Sequence, residues 1–314
     1  MGSVFSTLQY LRLKILISLI RVLIRSSSPR IRTNPDAVLR IPSRDAGRTI
    51  TAHLYNPPPK PSSSSSGSGN NGRRSPPPVL LNLYGSAFAL PLFGADEGYC
   101  KEMAKRTGHA VLDVEYRLAP EAAFPGPNHD VEDAVRYVLS HPELYDSTRM
   151  SVSGFSSGGT LALVAPMLFP PAANVTFRNV IAFYPSANLA TDPKDRKPPV
   201  ELPDGTPSGR GPALFTRLFR EAYLRDMDPR DPAISPLFAQ DLSKYAENLL
   251  VITGDYDSSA LDAEKFAQKV ESVGKRVIWK RMPKCIHAFD KKVGFEGARD
   301  ESYQLAANML LFSP

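Results

Sequence analysis

Cysteine is scarce in this sequence, which has only Cys100 and Cys285 among its 314 residues. Two thiols so far apart form neither a zinc-binding pattern nor a disulfide framework. A chain of this length can bury enough apolar surface to fold without such crosslinks. We therefore expect both residues to be buried or free thiols in a reducing compartment. This predicts a cytoplasmic protein, either free in the cytoplasm or peripheral on an intracellular membrane.

Long uncharged apolar runs are also missing, even in the most hydrophobic segment, residues 4–25. After the first charge in that segment the longest such run is 15–20, whereas a membrane-spanning helix needs about 20 apolar residues. No small-residue cleavage site follows, so a secretory signal is not indicated. The first residues do fit the N-myristoylation pattern, with Gly2 and Ser6 in the required places. We expect no transmembrane span.

Acidic residues are absent from residues 1–33, which carry six basic ones. The remaining 32 basic and 32 acidic side chains balance, so the net charge of +6 belongs to this arm. A nucleic-acid-binding domain would spread its basic residues over a folded face, which argues against that function. Helical spacing places Lys14, Ser18, Arg21 and Arg25 on one face. The arm is predicted to be a basic amphipathic helix that either lies on an anionic membrane surface or packs over the main domain as part of a lid.

Residues 57–78 are of low complexity, because proline, serine and glycine dominate them. Such a composition cannot bury a core. The segment separates two strand-like runs, 48–56 and 79–85, and only about 50 residues precede it. We interpret it as a disordered surface insert within one large domain over 34–314.

Strand and helix signals alternate from residue 79 onward. Strands are predicted at 79–84, 110–116, 149–153, 179–184, 248–253 and 275–281. Helices are predicted at 95–107, 128–140, 157–168, 212–225, 262–273 and 298–312. Several strands are almost continuously apolar, which is typical of a parallel sheet covered on both faces. The pattern predicts an α/β fold with a mostly parallel, doubly wound sheet. The proline-rich stretch 186–246 interrupts it and is predicted to form a helical cap above the carboxyl ends of the strands.

The stretch 154–158 reads Gly-Phe-Ser-Ser-Gly between a predicted strand and a predicted helix. This is the G-x-S-x-G pattern of a nucleophile elbow, in which a strained turn exposes the central serine. Glycines permit the turn and the close approach of helix and strand. The helix N-terminus favours developing negative charge. We predict that Ser156 is a nucleophile and that the backbone N–H of Ser157 assists it.

A serine hydroxyl needs a base beside it to act as a nucleophile. In sheets of this type the chain order is serine, acid, histidine. His287 is the one histidine that follows acidic residues downstream of Ser156, and it lies just after the last predicted strand. Asp255, Asp257 and Asp262 follow the preceding strand. Asp262 would begin the next helix and Asp255 would belong to a turn, so Asp257 is favoured as the residue that orients the imidazole.

Acyl transfer also needs N–H donors for the oxyanion of the tetrahedral intermediate. In this architecture one donor follows the nucleophile and others come from the loop after an early strand. That loop reads NLYGSAFALPLFG. The predicted donors are the N–H groups of Gly85, Ser86 and Ser157.

Four blocks of the chain carry a family resemblance. They are similar to motifs of the hormone-sensitive-lipase-like branch of the α/β-hydrolases. The first block is EYRLAPE at 115–121 together with FPGPNHDVEDA at 124–134. The other three are GFSSGG at 154–159, TGDYDSSALDAEKFA around Asp257 and HAF at 287–289. That branch contains bacterial short-chain esterases and arylacetamide deacetylase. The resemblance covers about residues 35–312. It implies the α/β-hydrolase fold, esterase activity and a family aspartate at Asp257.

The oxyanion loop departs from the family pattern. The family reads H-G-G-G, and this chain reads Tyr84-Gly85-Ser86-Ala87. Gly85 keeps the first glycine and Ser86 still has an N–H, whereas Ala87 replaces a residue that tolerates positive φ. The elbow has Phe155 where the family has an aspartate, which would make the site more apolar. The resemblance thus implies an intact triad beside a remodelled oxyanion loop.

The leading hypothesis is a serine hydrolase that cleaves a carboxylic ester through an acyl-enzyme. Its substrate would be a small apolar acyl ester, and no metal, organic cofactor or nucleic acid is implied. The expected pocket lining, besides residues of the cap, is Tyr84, Phe88 and Phe155.

Two other hypotheses remain open. The same triad could serve a thioesterase, lactonase or cyclase that acts on a specialised metabolite, which the altered oxyanion loop favours. Alternatively, the chain could be a catalytically inactive hydrolase fold that binds a ligand or partner. The sequence makes no prediction of oligomeric state.

Overall fold

A single mixed sheet organises the protein. The computed structural model describes residues 6–27, 30–59, 75–170, 173–205 and 209–312. Within these ranges eight strands form a sheet in the order β1-β2-β4-β3-β5-β6-β7-β8. The strands are β1 (Ala37–Pro42), β2 (Thr49–Tyr55), β3 (Pro78–Leu83), β4 (Ala110–Val114), β5 (Asp146–Phe155), β6 (Asn179–Phe183), β7 (Asn248–Gly254) and β8 (Arg276–Met282). β2 pairs antiparallel with β1 and β4, and the other pairs are parallel.

Helices cover both faces of the sheet. They are α1 (Thr7–Ser27), α2 (Glu97–Thr107), α3 (Gly126–Leu139), α4 (Ser157–Val164), α5 (Ala213–Leu224), α6 (Ala260–Glu271) and α7 (Glu296–Phe312). α2 and α7 contribute to one hydrophobic core, while α3, α4 and α6 contribute to the other. Successive strand residues point to opposite faces. In β6, for example, Val180 and Ala182 join one core and Ile181 and Phe183 join the other, which explains why the central strands are apolar throughout.

The α/β class and the mostly parallel, doubly wound sheet predicted from the sequence are confirmed. The predicted elements recur with ends shifted by a few residues. α4 is shorter than predicted, because the chain continues as a 3-10 turn at Ala165–Met167 that contains Pro166. Proline lacks the N–H that would continue an α-helix. The edge strand β1 was not predicted; it is short, half exposed and ends in proline. The Gly2 pattern and most of the low-complexity segment lie outside the described residues.

Helix α1 packs against α5, which belongs to the stretch 186–246 that the sequence predicts to be a cap and that is called the cap below. Leu13, Ile17 and Ile20 are buried on its inner side, and the helix contacts α5. Arg21 donates from Nε to the carbonyl of Ala89 at 2.8 Å and from Nη2 to the carbonyl of Ala119 at 2.7 Å. The helix is therefore fixed both to the cap and to loops beside the sheet. No helix in the described part of the chain is long and apolar enough to cross a membrane.

A buried carboxylate joins three parts of the fold. Asp130 on α3 has no exposed surface. It accepts hydrogen bonds from Arg48 Nη1 and Nη2 at 2.6 and 2.8 Å. It also accepts from the backbone N–H, Nε and Nη2 of Arg117 at 2.8, 3.0 and 2.6 Å. Arg48 precedes β2, and Arg117 belongs to the loop after β4. This one side chain thus fixes both loops to α3.

Replacing Asp130 with alanine should destabilise the protein strongly, because two guanidinium groups lose their buried partner. We expect a loss of about 3 kcal/mol in the free energy of unfolding. Urea denaturation followed by circular dichroism measures it.

The matched control is Asp45→Ala, which removes an exposed partner of the same Arg117. Exposed ion pairs contribute little, so its effect should be much smaller. Equal midpoints for the two variants would contradict the role assigned to Asp130.

Candidate active site

The turn between β5 and α4 leaves no room for side chains at two of its glycines. A Cβ on Gly158 would lie 1.9 Å from the carbonyl oxygen of Leu83, and one on Gly154 would lie 2.2 Å from that of Gly158. Ser156 has a φ of +52°. Holding a non-glycine residue in that region costs about 1–3 kcal/mol and occurs where the surroundings enforce it. The tight packing therefore maintains a strained serine between strand and helix.

Three predicted residues meet at this turn. Ser156 Oγ lies 2.9 Å from His287 Nε2, and His287 Nδ1 lies 2.6 Å from Asp257 Oδ2. Ser156 follows β5, Asp257 follows β7 and His287 follows β8, so the parallel strands bring their carboxyl ends together. Asp255 instead accepts a hydrogen bond from the N–H of Lys284. Asp262 lies in the first turn of α6, whose N-cap is Ser259 rather than Asp262.

The buried carboxylate of Asp257 is well supplied with donors. Ser259 donates to Oδ1 from both its backbone N–H and its hydroxyl, each at 2.9 Å. Burial acts to raise the pKa of Asp257, but the charge of Arg210 and the interaction with His287 outweigh burial and hold the pKa well below its ordinary value. Asp257 is thus ionised at neutral pH.

The pKa of His287 is shifted in the direction that favours action as a base. Burial lowers its pKa below the ordinary histidine value, and the charge of Arg210 lowers it further, although Asp257 partly offsets both. The imidazole is therefore neutral at neutral pH, with Nε2 facing the serine hydroxyl.

Arg210 is a contact that the sequence analysis did not find. Its Nε donates to Asp257 Oδ1 at 2.9 Å, and its side chain is only 15% exposed. The preceding Gly209 has a φ of +78°, and a Cβ there would lie 2.3 Å from the carbonyl oxygen of His287. The cap segment 209–211 therefore rests directly on the histidine and its carboxylate partner. The Gly-Arg-Gly stretch can be seen in the sequence, but no local sequence pattern shows which acidic residue Arg210 contacts.

The oxyanion loop differs from its predicted arrangement at Ser86. Gly85 lies against the elbow, where a Cβ would be 3.1 Å from the carbonyl oxygen of Phe155 and 3.5 Å from Ser156 Cβ. The N–H of Ser86, however, donates to Ser157 Oγ at 2.9 Å. From the sequence we predict an oxyanion donor at Ser86 and assign a role to the backbone N–H of Ser157 but none to its hydroxyl. In the structure that hydroxyl is the nearest acceptor, and it anchors the loop.

Two non-glycine residues of the same loop adopt left-handed backbone conformations. Ala87 has a φ of +48° and Phe88 a φ of +59°. The sequence suggested that alanine would resist positive φ here, yet the conformation is retained. Phe88 is buried and stacks on Tyr223 of α5, with ring centroids 3.8 Å apart. Aromatic packing of Phe88 on Tyr223 thus supports the loop directly after Ala87, the position at which the family has glycine.

The predicted pocket lining is corrected by the structure. Tyr84 and Phe155 are each 1% exposed and belong to the core. Tyr84 stacks on Tyr116, with centroids 4.6 Å apart. Phe155 stacks on Phe183, with ring centroids 4.4 Å apart, and Lys291 Nζ lies over its ring. The side chain that precedes the elbow serine therefore points to the other face of the sheet. Phe88 likewise packs on the cap, so all three rings are buried.

No cluster of three histidine, cysteine, aspartate or glutamate side chains in the described ranges could hold a metal ion.

The geometry offers a hydrogen-bonded serine, histidine and aspartate beside a helix N-terminus. Such an arrangement can carry out acyl transfer by covalent catalysis.

Comparison with known proteins agrees with this chemistry. The sequence profile of the α/β-hydrolase fold family matches residues 80–291. The ethyl acetate hydrolase of Pseudomonas putida is 27% identical over 285 residues, which cover 88% of this chain and 83% of that enzyme. The arylesterase of Saccharolobus solfataricus is 24% identical over 215 residues, which cover 67% of this chain and 68% of the arylesterase.

A solved structure shows the same architecture over the whole chain. The hyperthermophilic esterase of Pyrobaculum calidifontis superposes with a TM-score of 0.73 at 25% identity and covers 98% of both chains. The family resemblance seen in the four sequence blocks is thereby confirmed. The chain belongs to the α/β-hydrolase family, as an esterase of its hormone-sensitive-lipase-like branch.

Proposed function

We propose that this esterase is a serine hydrolase in which Ser156, His287 and Asp257 form the catalytic triad. The observation that carries the proposal is the unbroken hydrogen-bond chain from Ser156 Oγ through both imidazole nitrogens to the buried Asp257 carboxylate. The second support is electrostatic, because the pKa of His287 lies below its ordinary value and leaves the base neutral.

The reaction would proceed in two acyl-transfer steps. His287 Nε2 takes the proton of Ser156 Oγ as the oxygen attacks the ester carbonyl, and the imidazolium then gives that proton to the leaving alcohol. Water attacks the acyl-enzyme in the same way and regenerates Ser156. Asp257 holds the Nδ1–H and stabilises the imidazolium without becoming protonated.

The backbone N–H groups of Gly85 and Ser157 are the proposed oxyanion donors. Gly85 lies against the elbow, and Ser157 is the first residue of α4, whose dipole favours negative charge at its N-terminus. Ser86 is assigned to the support of the loop, because its N–H donates to Ser157 Oγ. We propose a small apolar acyl ester as the substrate, in keeping with the ethyl acetate hydrolase among the relatives.

A second function is favoured by the remodelled oxyanion loop. Ala87 carries a side chain where the family has glycine, and the N–H of Ser86 is engaged by Ser157 Oγ, so the surroundings of the acyl oxygen differ from the family pattern. This shape would suit one particular acyl group, and the same triad would then act as a thioesterase, lactonase or cyclase on a specialised metabolite. A panel of short-chain oxygen esters, thioesters and lactones separates the two, since a general esterase hydrolyses the simple oxygen esters.

Covalent labelling tests the nucleophile directly. A fluorophosphonate should form one adduct on wild-type protein, mapped by peptide mass spectrometry to Ser156, because only an activated hydroxyl reacts. Ser156→Ala should give no adduct and should lose at least about 10³-fold in the rate of ester hydrolysis.

Ser272→Ala is the matched control, because it removes an exposed serine hydroxyl at the end of α6. It should still be labelled at Ser156. An unlabelled, folded wild-type protein would instead support the hypothesis of an inactive hydrolase fold that binds a ligand.

The pH dependence of kcat/KM tests the base. Activity requires neutral His287, so it should fall as the pH drops through the pKa of this group. Because burial and Arg210 hold that pKa below the ordinary value of 6.5, kcat/KM at pH 6.5 should still exceed half of its plateau and should fall to half of it only at a lower pH. An acid limb centred above pH 6.5, measured on a short-chain nitrophenyl ester with correction for spontaneous hydrolysis, would contradict this assignment.

A further inference from the structure

Helix α1 has a second apolar side that the fold does not cover. Its inner residues Leu13, Ile17 and Ile20 are buried against the cap. Six other large side chains are 46–78% exposed and recur at helical spacing along another side of the helix. We call this set the outer stripe; it consists of Leu8, Leu11, Ile15, Leu19, Val22 and Leu23.

Basic residues border the outer stripe. On a helix of 3.6 residues per turn, Lys14 and Arg25 fall beside Leu11 at one edge, and both are exposed. Arg12 lies toward the other edge, where it pairs with Glu221 of α5 at 3.2 Å. No acidic residue occurs in residues 1–33. The surface is therefore apolar along its centre and positively charged at the edge that carries Lys14 and Arg25.

This combination determines the kind of partner that fits. A contiguous exposed apolar patch marks a binding surface. An amphipathic helix with lysine and arginine beside its apolar side binds in the plane of an anionic bilayer, where the apolar residues enter the boundary of the acyl chains and the cations meet lipid phosphates. A second protein copy would place the same cations against one another, which is unfavourable.

We propose that the outer stripe of α1 binds the surface of an anionic lipid bilayer, with the helix parallel to the membrane. The inner side of the same helix stays on the cap, so the two interpretations of the N-terminal arm are not alternatives. Arg21 ties this helix to the loops that contain Ala89 and Ala119. Binding would therefore bring the cap side of the enzyme to the membrane, where apolar esters accumulate.

Vesicle sedimentation of the full chain tests this surface. Wild-type protein should sediment with vesicles of phosphatidylcholine and phosphatidylserine and should bind vesicles of pure phosphatidylcholine less. Ile15→Ser combined with Leu19→Ser should weaken binding to the anionic vesicles at least about tenfold, because two stripe side chains no longer enter the bilayer. Val293→Ser is the matched control, since Val293 is 95% exposed on another part of the surface.

The outcomes are distinct. Unchanged hydrolysis of a soluble ester by the stripe variant shows that it is folded. Wild-type protein that stays in the supernatant with both vesicle types would overturn the proposal. So would a stripe variant that changes the protein from dimer to monomer in size-exclusion chromatography without changing vesicle binding, because the occupant would then be a second copy.

A different observation concerns the cap segment 209–211. Arg210 reaches the far oxygen of the Asp257 carboxylate, and Gly209 lies against the carbonyl of His287. These are two contacts from one short segment of the cap on two members of the proposed triad. The segment can therefore fix the orientation of the histidine loop and the charge around it together.

Other charged groups of the described residues also act on this pair. Arg196 on the cap adds a second positive charge near Arg210 and Asp257. Asp290, which follows His287 in the chain, adds a negative charge near the imidazole. Arg210 is nevertheless the cation in direct contact with the carboxylate, at 2.9 Å.

We infer that Arg210 is a positioning residue that ties the cap to the histidine–aspartate pair, an inference that rests on the proposed function. Arg210 acts through Asp257 and not on the substrate. Displacement of the cap would remove a cation from beside the pair and would change the basicity of His287. The strength of the catalytic base thus depends on where the cap lies.

The acid limb of kcat/KM distinguishes this role from simple structural support. Arg210→Gln removes the cation, so the pKa of His287 should rise and the limb should move to higher pH by about one unit. Lysine is shorter than arginine, so Arg210→Lys keeps a positive charge but holds it farther from Asp257. Its acid limb should lie between those of the wild type and of Arg210→Gln. Arg217→Gln, on an exposed cap arginine that pairs with Asp192 at 3.8 Å, should reproduce the wild-type profile.

Fluorophosphonate labelling of each variant separates the two kinds of failure. If wild-type protein is not labelled, the proposed triad fails before Arg210 is tested. If wild-type protein is labelled and the limbs of Arg210→Gln and Arg210→Lys both coincide with it, the positioning role is wrong. The lysine variant still decides the matter if the glutamine variant does not fold.

Discussion

The close backbone contact at the elbow is the constraint on which the site depends. Gly158 lies so near the carbonyl of Leu83 that α4 begins directly against the ends of β3 and β5. This contact forces Ser156 into positive φ and directs its hydroxyl to His287. It also places Gly85, two residues beyond Leu83, beside Ser156. One steric requirement thus positions both the proposed nucleophile and a proposed oxyanion donor.

The meeting of Ser156, Asp257 and His287 could be predicted because each residue follows a strand that the sequence makes recognisable. Parallel strands bring their carboxyl ends together whatever the connections between them, so Ser156, Asp257 and His287 needed only the correct order along the chain. Arg210 could not be found in this way, because its contact crosses from the cap and has no local pattern. Phe155 was misplaced for a related reason: the sequence shows its neighbour in the elbow but not the face of the sheet to which its ring points.

The family blocks also gain a physical explanation. The arginine of EYRLAPE is Arg117, and the aspartate of FPGPNHDVEDA that it meets is Asp130. Two sequence blocks that look independent are the two halves of one buried ion pair, which Arg48 completes from the antiparallel edge of the sheet. The resemblance to the family in this region thus reflects how the loop after β4 is fixed to α3. The substrate does not enter this explanation.

The stacking of Phe88 on Tyr223 couples the oxyanion loop to the cap. Glycine would let the loop keep a positive φ at position 87 without such support. Here Ala87 and Phe88 both have positive φ, and an aromatic ring that belongs to the cap packs on the loop. A change at Tyr223 therefore alters the loop, and a change at Phe88 alters the cap. Neither part can be reshaped without a matching change in the other.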